Sequence, residues 1–240
     1  MRRRILVVKT GTTRDVVPDS ADDFEDWIAA GLGEPVDVCR VADGEALPRP
    51  DAPAAVVVTG SSAMVSHRLP WSERTAAWLA GAVDAGTPVL GICFGHQLLA
   101  HALGGVVGPN PHGREVGTVI GSVLPSAVGD PLLGGVGPRF EIQATHLESV
   151  LRLPSRATTL ATSARDDHFA FRVDGRPAWG VQFHPEFSVD VMREYLEARR
   201  AILEREGRDV DVLLATTRHT AVGAVVLRRF GELVAAGIAA

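Results

Sequence analysis

The sequence predicts an α/β fold built around a mostly parallel β-sheet. Short, largely apolar runs recur through the first hundred residues, at 5–8, 36–39, 54–59 and 89–92. Runs of this length and composition are typical of strands that are buried on both faces of a sheet. Amphipathic stretches of helical length lie between them, and this alternation indicates βαβ units.

The helical stretches are bounded by ordinary start and stop signals. Residues 22–30 place apolar side chains on one face and are followed by two glycines. Residues 73–85 have Ser72 as a potential N-cap and a glycine and a proline beyond the last turn. The chain is predicted to become helical again at 189–206 and at 221–235.

The middle of the chain, residues 104–183, has a different character. It is rich in glycine, proline and short β-like runs. We expect these runs to form added hairpins and closing strands beside the central sheet. No internal repeat, low-complexity tract or linker interrupts the sequence, so residues 1–240 are expected to form a single domain.

Composition excludes several classes of function. The chain carries a net charge of -5 and no long basic block, which argues against a nucleic-acid surface. No segment approaches the roughly 20 apolar residues that cross a bilayer, and the apolar run at 5–8 is too short for a signal peptide. We therefore expect a cytoplasmic protein that binds neither nucleic acid nor membrane. The two cysteines, Cys39 and Cys93, are then not expected to form a disulfide.

The turn at residues 91–97 is the most informative segment. An apolar strand runs into G-I-C-F-G-H-Q, and a helical pattern follows, as in a nucleophile elbow with cysteine in place of serine. Flanking glycines relieve the steric crowding of such a turn. The helix dipole favours a Cys93 thiolate, and the Phe94 N–H points to where an oxyanion would form. Cys39 has no such surroundings and is interpreted as strand filler.

A cysteine nucleophile needs a base, and His184 is the histidine with a fitting neighbourhood. It follows an apolar strand run, and Glu186, two residues later, can orient its imidazole. In α/β-hydrolases the acid precedes the histidine along the chain, so the order here argues against that family. The other histidines lack such a partner in the sequence, and the D-D-H at 166–168 is interpreted as a solvated loop. No metal and no cofactor are expected.

Taken together, these motifs resemble those of the class I (triad) glutamine amidotransferases. The G-x-C-x-G-x-Q at 91–97 and the H-P-E at 184–186 match the family's two signatures in the same order. The segment 58–65 lies where the family has its oxyanion loop, with serines and alanine replacing a glycine and a proline. Residues 110–117 and 145–150 are similar to a stand-alone branch described as GMP synthase-like.

The resemblance implies a fold, a reaction and a set of site residues. The fold would be a flavodoxin-like three-layer sandwich with extra β-hairpins. Cys93 would attack the γ-carbonyl of glutamine, helped by His184 and Glu186, and release ammonia and glutamate through a γ-glutamyl thioester. The oxyanion would be held by the backbone amides of Ser61 and Phe94. The glutamine pocket would draw on Gly60, Gln97, Glu115 and His146.

Three functions remain open at this point. The first is a glutaminase subunit that passes ammonia to a synthetase. We expect that synthetase to be a separate protein, because no Walker-type phosphate loop occurs in this sequence. The second is a stand-alone hydrolase of γ-glutamyl peptides. The third is a non-catalytic stress protein on the same fold, which the H-P-E motif and Gln97 count against.

Overall fold

The computed structural model describes residues 3–237, which fold into alternating strands and helices. The strands are β1 (Ile5–Lys9), β2 (Val36–Arg40), β3 (Ala55–Val58), β4 (Val89–Ile92), β5 (Val106–Pro109), β6 (Glu115–Val123), β7 (Arg139–His146), β8 (Glu148–Arg152), β9 (Ala157–Thr162), β10 (Ala170–Val173) and β11 (Ala178–Val181). The helices are α1 (Phe24–Leu32), α2 (Pro70–Asp84), α3 (Phe94–Ala102), α4 (Val189–Ala198), α5 (Arg200–Arg205), α6 (Val210–Thr216) and α7 (Val222–Ala235).

Nine strands form one sheet in the order β2-β1-β3-β4-β11-β10-β9-β6-β7. The first five strands run parallel to one another, and the last four extend the sheet through antiparallel pairs. Strands β5 and β8 pair separately. The predicted α/β fold, with a parallel centre and added hairpins, is confirmed.

The sheet is covered on both faces because successive side chains of a strand point to opposite sides. In β1, Val7 packs in a core that includes Phe230 of α7, while Val8 packs in a second core that includes Leu79 of α2. Helices α1 and α7 contact each other on the first face, and α2 and α3 on the second. The result is the three-layer arrangement that the family resemblance implies.

The predicted start of the second helix is wrong by one turn. The helix begins at Pro70, after Leu69, and Ser72 is buried inside it and caps nothing. Proline suits the first helical position because its missing N–H would have no partner there and its φ is already helical. The stronger signal was therefore the proline, not the serine.

The predicted helix 189–206 is wrong in its continuity. It breaks at Arg199, whose φ of -100° and ψ of 7° separate α4 from α5. Helix α6 was not predicted, although Asp209 caps it by accepting the Val212 N–H. The single-domain prediction stays a prediction. Across residues 3–237, no helix is both long and apolar enough to cross a membrane.

The β4–α3 turn is packed so closely that its glycines admit no side chain. A Cβ added to Gly91 would lie 2.4 Å from the Gly95 carbonyl oxygen, and one added to Gly95 would lie 2.4 Å from the Val58 carbonyl oxygen. Both contacts are with backbone, which cannot rotate away. The sheet centre and the helix can therefore approach this closely only with glycine at both positions.

We predict that Gly95→Ala lowers the free energy of unfolding by roughly 3 kcal/mol, since the added methyl forces strand β3 and helix α3 apart. Urea denaturation monitored by circular dichroism measures the change. Gly81→Ala is the matched control, because Gly81 lies within α2 and its added Cβ would meet only the Pro50 ring at 3.3 Å. An unchanged unfolding midpoint for Gly95→Ala would contradict the packing argument.

Candidate active site

Cys93 lies between β4 and α3 in a strained backbone conformation. Its φ is 51° and its ψ is -103°, a region that residues other than glycine rarely adopt. Its N–H donates to the Val181 carbonyl at 2.8 Å, so the turn is fastened to β11. The Sγ lies 3.7 Å from the Thr145 carbonyl oxygen at the end of β7. Strain of this kind persists only where the surroundings fix it, and it is common at functional sites.

His184 and Glu186 form a buried pair just beyond β11. The imidazole Nδ1 lies 2.7 Å from Glu186 Oε1, and both side chains are almost inaccessible to solvent. The His184 N–H donates to the Gln143 carbonyl at 2.9 Å. The ring is stacked on Phe187, with centroids 4.1 Å apart. Its Nε2 has no hydrogen-bond partner within residues 3–237. The imidazole is thus oriented through Nδ1 and leaves Nε2 available.

Electrostatics set the charge of this imidazole. Burial alone would lower the pKa of His184, but the negative charges of Glu186 and Cys93 outweigh burial and raise that pKa to about 10. Near neutral pH, His184 is therefore held protonated. An imidazolium that is oriented by a carboxylate and lies beside a cysteine is an arrangement used in cysteine-dependent catalysis.

The loop after β3 carries the predicted oxyanion residues. Thr10 Oγ1 donates to the Gly60 carbonyl at 3.0 Å, and Ser61 Oγ donates to the Thr10 carbonyl at 2.8 Å. A Cβ on Gly60 would lie 3.0 Å from His184 Cε1, so glycine allows the ring to sit against the loop. In the described part of the chain, the N–H groups of Ser61 and Phe94 have no acceptor.

One cavity collects most of the predicted residues. Its lining includes Cys93, His184, Ser61, Phe94, Gln97 and His146. Glu186 lies behind His184, and Gly60 lies against the His184 ring rather than lining the cavity. The arrangement places a thiol, an imidazole oriented by a carboxylate and two unpaired backbone donors around one space.

Gln97 is buried in the cavity wall, where its side chain hydrogen-bonds to two other segments. Its Nε2 donates to the Glu148 carbonyl at 2.7 Å and to Gln182 Oε1 at 3.0 Å. These bonds join α3 to β8 and to the end of β11. The side chain predicted to shape the pocket therefore also holds three elements together.

His146 lines the cavity, whereas Glu115 does not and lies behind it. His146 Nε2 is 3.1 Å from Glu115 Oε2, and its Nδ1 is 3.0 Å from the Glu148 carbonyl oxygen. A carbonyl cannot donate, so Nδ1 carries a proton and donates to it. Ser163 Oγ donates to Glu115 at 2.7 Å. Glu115 therefore contacts the cavity only through His146.

Sequence motifs missed part of the cavity wall. Phe24, Arg114, Glu148, Tyr195 and Arg199 also line the cavity. Tyr195 and Arg199 are four residues apart, a spacing that puts two side chains on one helical face, yet nothing in the motifs pointed that face at Cys93. Among residues 3–237, no group of three or more His, Cys, Asp or Glu side chains is arranged to hold a metal ion.

Two known proteins with similar sequences are both described as GMP synthases or a subunit of one. Over 143 residues the chain is 41% identical to a GMP synthase [glutamine-hydrolyzing] of Aeropyrum pernix, covering 60% of this chain and 25% of that protein. Over 99 residues it is 38% identical to a GMP synthase [glutamine-hydrolyzing] subunit of Methanothermobacter thermautotrophicus, covering 41% of this chain and 51% of that one. The chain thus spans a quarter to a half of the length of these relatives.

A solved structure has a similar fold. A glutamine amidotransferase from Thermotoga maritima has a solved structure that superposes with a TM-score of 0.78 at 24% identity, covering 98% of this chain and 99% of that one. The family described as "Glutamine amidotransferase class-I" matches residues 16–202, most of the chain. The chain therefore belongs to the class-I glutamine amidotransferase family.

Proposed function

We propose that this protein hydrolyses the γ-amide of glutamine with Cys93 as nucleophile, His184 as acid and base, and Glu186 as the residue that orients His184. The observation that carries the proposal is that His184, held by the buried Glu186 at 2.7 Å, lines the same cavity as the strained Cys93. His184 lines the cavity, and its Nε2 has no partner among the described residues, so this nitrogen is available to a cysteine or a substrate.

The first half-reaction forms a thioester. The Cys93 thiolate attacks the γ-carbonyl carbon, and the carbonyl electrons move to oxygen, where the N–H groups of Ser61 and Phe94 stabilise the charge. The His184 imidazolium gives its proton to the amide nitrogen. The C–N bond then breaks, and ammonia leaves from a γ-glutamyl thioester on Cys93.

The second half-reaction regenerates the enzyme. Neutral His184 takes a proton from a water molecule, whose oxygen attacks the thioester carbon. The tetrahedral intermediate collapses by breaking the C–S bond, which releases glutamate and the Cys93 thiolate. Glu186 keeps one imidazole tautomer in place through both halves, because its carboxylate accepts a hydrogen bond from the Nδ1–H group throughout.

We also propose that the ammonia is used by a separate synthetase in the cytoplasm. The name of one relative supports this, since it describes a single subunit of a glutamine-hydrolysing GMP synthase. The chain itself spans only a part of the longer relatives. The alternative is that the protein acts alone on γ-glutamyl peptides.

Purified protein incubated with glutamine, glutathione and a γ-glutamyl anilide tests the proposal, with ammonia or the freed amine and glutamate as readouts. A glutamine-analogue electrophile that alkylates the thiolate is tested alongside. Glutamine turnover or stoichiometric labelling of Cys93 supports the proposal. Preferential cleavage of glutathione favours the alternative. No turnover together with no labelling would refute the assigned chemistry, since labelling needs no synthetase.

A further inference from the structure

Arg199 lies at the break between α4 and α5, where it lines the Cys93 cavity. Its N–H still donates to the Tyr195 carbonyl at 3.1 Å, so the last turn of α4 fixes its backbone. Its guanidinium carbon lies 6.0 Å from the centre of the Tyr195 ring. A cation–π contact of this kind holds the guanidinium in place without neutralising its charge.

The guanidinium of Arg199 has no counter-ion in the described part of the chain. It makes neither an ion pair nor a hydrogen bond with residues 3–237, and its Nε is buried. The other cavity arginine, Arg114, is already paired, because Glu206 accepts from its Nε at 2.9 Å and from its second nitrogen at 3.1 Å. Arg200, the next residue, is paired with three carboxylates.

An unpaired, partly buried guanidinium is costly. Burial lowers the pKa of Arg199, the neighbouring positive charge of Arg114 lowers it further, and the negative charge of Glu206, which is bonded to Arg114, only partly opposes this shift. Buried charges in proteins normally have a partner, and a planar guanidinium matches a carboxylate through two parallel hydrogen bonds. Since the protein provides no such carboxylate here, a ligand in the cavity is the natural source.

We infer that Arg199 binds a carboxylate of the substrate. This inference rests on the proposed function and narrows its substrate class to γ-glutamyl compounds that carry a carboxylate within reach of the guanidinium. Two positions in such a compound have the right chemistry. One is the α-carboxylate of the γ-glutamyl unit, and the other is the carboxylate of the departing amine in a γ-glutamyl amino acid.

Two matched pairs of substrates separate these positions. Glutamine is compared with glutaminamide, which has an amide in place of the α-carboxylate. γ-Glutamylglycine is compared with γ-glutamyl methylamide, which lacks the carboxylate of the leaving amine. Each pair is measured with the wild type, Arg199→Gln, Arg199→Lys and the control Arg200→Gln, whose side chain does not line the cavity.

We expect the wild type to prefer the carboxylate-bearing member of one pair by roughly 10- to 100-fold in kcat/KM, mainly through KM, as for a charge-assisted hydrogen bond. Arg199→Gln should lose that preference, Arg199→Lys should retain part of it, and Arg200→Gln should behave as wild type. If Arg199→Gln loses the preference for glutamine over glutaminamide, Arg199 binds the α-carboxylate. If it loses the preference for γ-glutamylglycine over γ-glutamyl methylamide, Arg199 binds the carboxylate of the leaving amine.

The inference is overturned if the active wild type shows neither preference, a result that needs no variant to fold. It is also overturned if Arg199→Gln keeps the preference while only slowing alkylation of Cys93 by iodoacetamide, because Arg199 would then act on the thiolate alone. Failure of the proposed function differs from both, since the wild type would then neither turn over any substrate nor be labelled at Cys93.

Discussion

Cys93→Ala is expected to lower glutamine turnover by at least roughly 10⁴-fold, the scale of loss when a nucleophile that acts as a unit with its base is removed. The residual rate would come from the oxyanion donors and substrate binding alone. Ammonia and glutamate release are the measurements. The fold should survive the change, because Cys93 contributes a short side chain and its unusual backbone conformation remains the main local cost.

The chain supplies its own control for this experiment. Cys39 is also buried, its Sγ lies 3.7 Å from the Ala46 carbonyl oxygen, and burial together with the Glu45 carboxylate raises the pKa of its thiol. Cys39→Ala should therefore keep full activity and full labelling by a glutamine-analogue electrophile. Activity that depends on Cys39 and not on Cys93 would reverse the assignment.

Glu186→Gln is expected to lower kcat by roughly 10³- to 10⁴-fold, because an amide can present its N–H to Nδ1 and hold the wrong imidazole tautomer. The exposed Glu197, which pairs with Arg200 on the surface, provides a control of the same chemistry in Glu197→Gln. If Glu197→Gln has wild-type kinetics while Glu186→Gln has a reduced kcat, the reduction results from the change in the buried His184–Glu186 pair. Equal rates for both variants would contradict it.

The same variant has a pH signature. The folded-state pKa of His184, about 10, lies above its ordinary value of 6.5, so proton binding to His184 favours the folded state. That contribution to stability is complete below pH 6.5 and is lost as the pH rises through 10. Removing the Glu186 charge lowers the pKa of His184, so both the loss of stability and the alkaline limb of kcat/KM should move to lower pH. Unfolding midpoints and rates between about pH 6 and pH 11 measure both shifts.

The sequence predicted what depends on local chemistry. The elbow at 91–97 could be recognised because the turn needs glycine at positions 91 and 95, where the structure leaves no room for a Cβ. The pairing of His184 with Glu186 could be proposed because the two residues are close in sequence. Each feature involves only a few consecutive residues, so a short sequence motif can indicate it.

The remainder depends on contacts between distant segments. Arg199 lines the cavity at the point where the helix predicted at 189–206 breaks, and no glycine or proline marks the break. Glu115 was expected in the pocket wall but lies behind His146, a distinction set by the register of β6 and β7. Such outcomes follow from tertiary packing, which a one-dimensional pattern does not encode.

Much of the support around the reacting atoms comes from peptide groups. The Val181 carbonyl holds the Cys93 N–H, the Gln143 carbonyl holds the His184 N–H, and the Thr145 carbonyl faces the Cys93 sulfur. Alanine scanning deletes side chains and leaves every one of these groups intact, so a scan of β7 would undervalue the strand. Replacing single peptide bonds with esters, or inserting one residue to shift the strand register, would measure a contribution that side-chain substitutions leave unchanged.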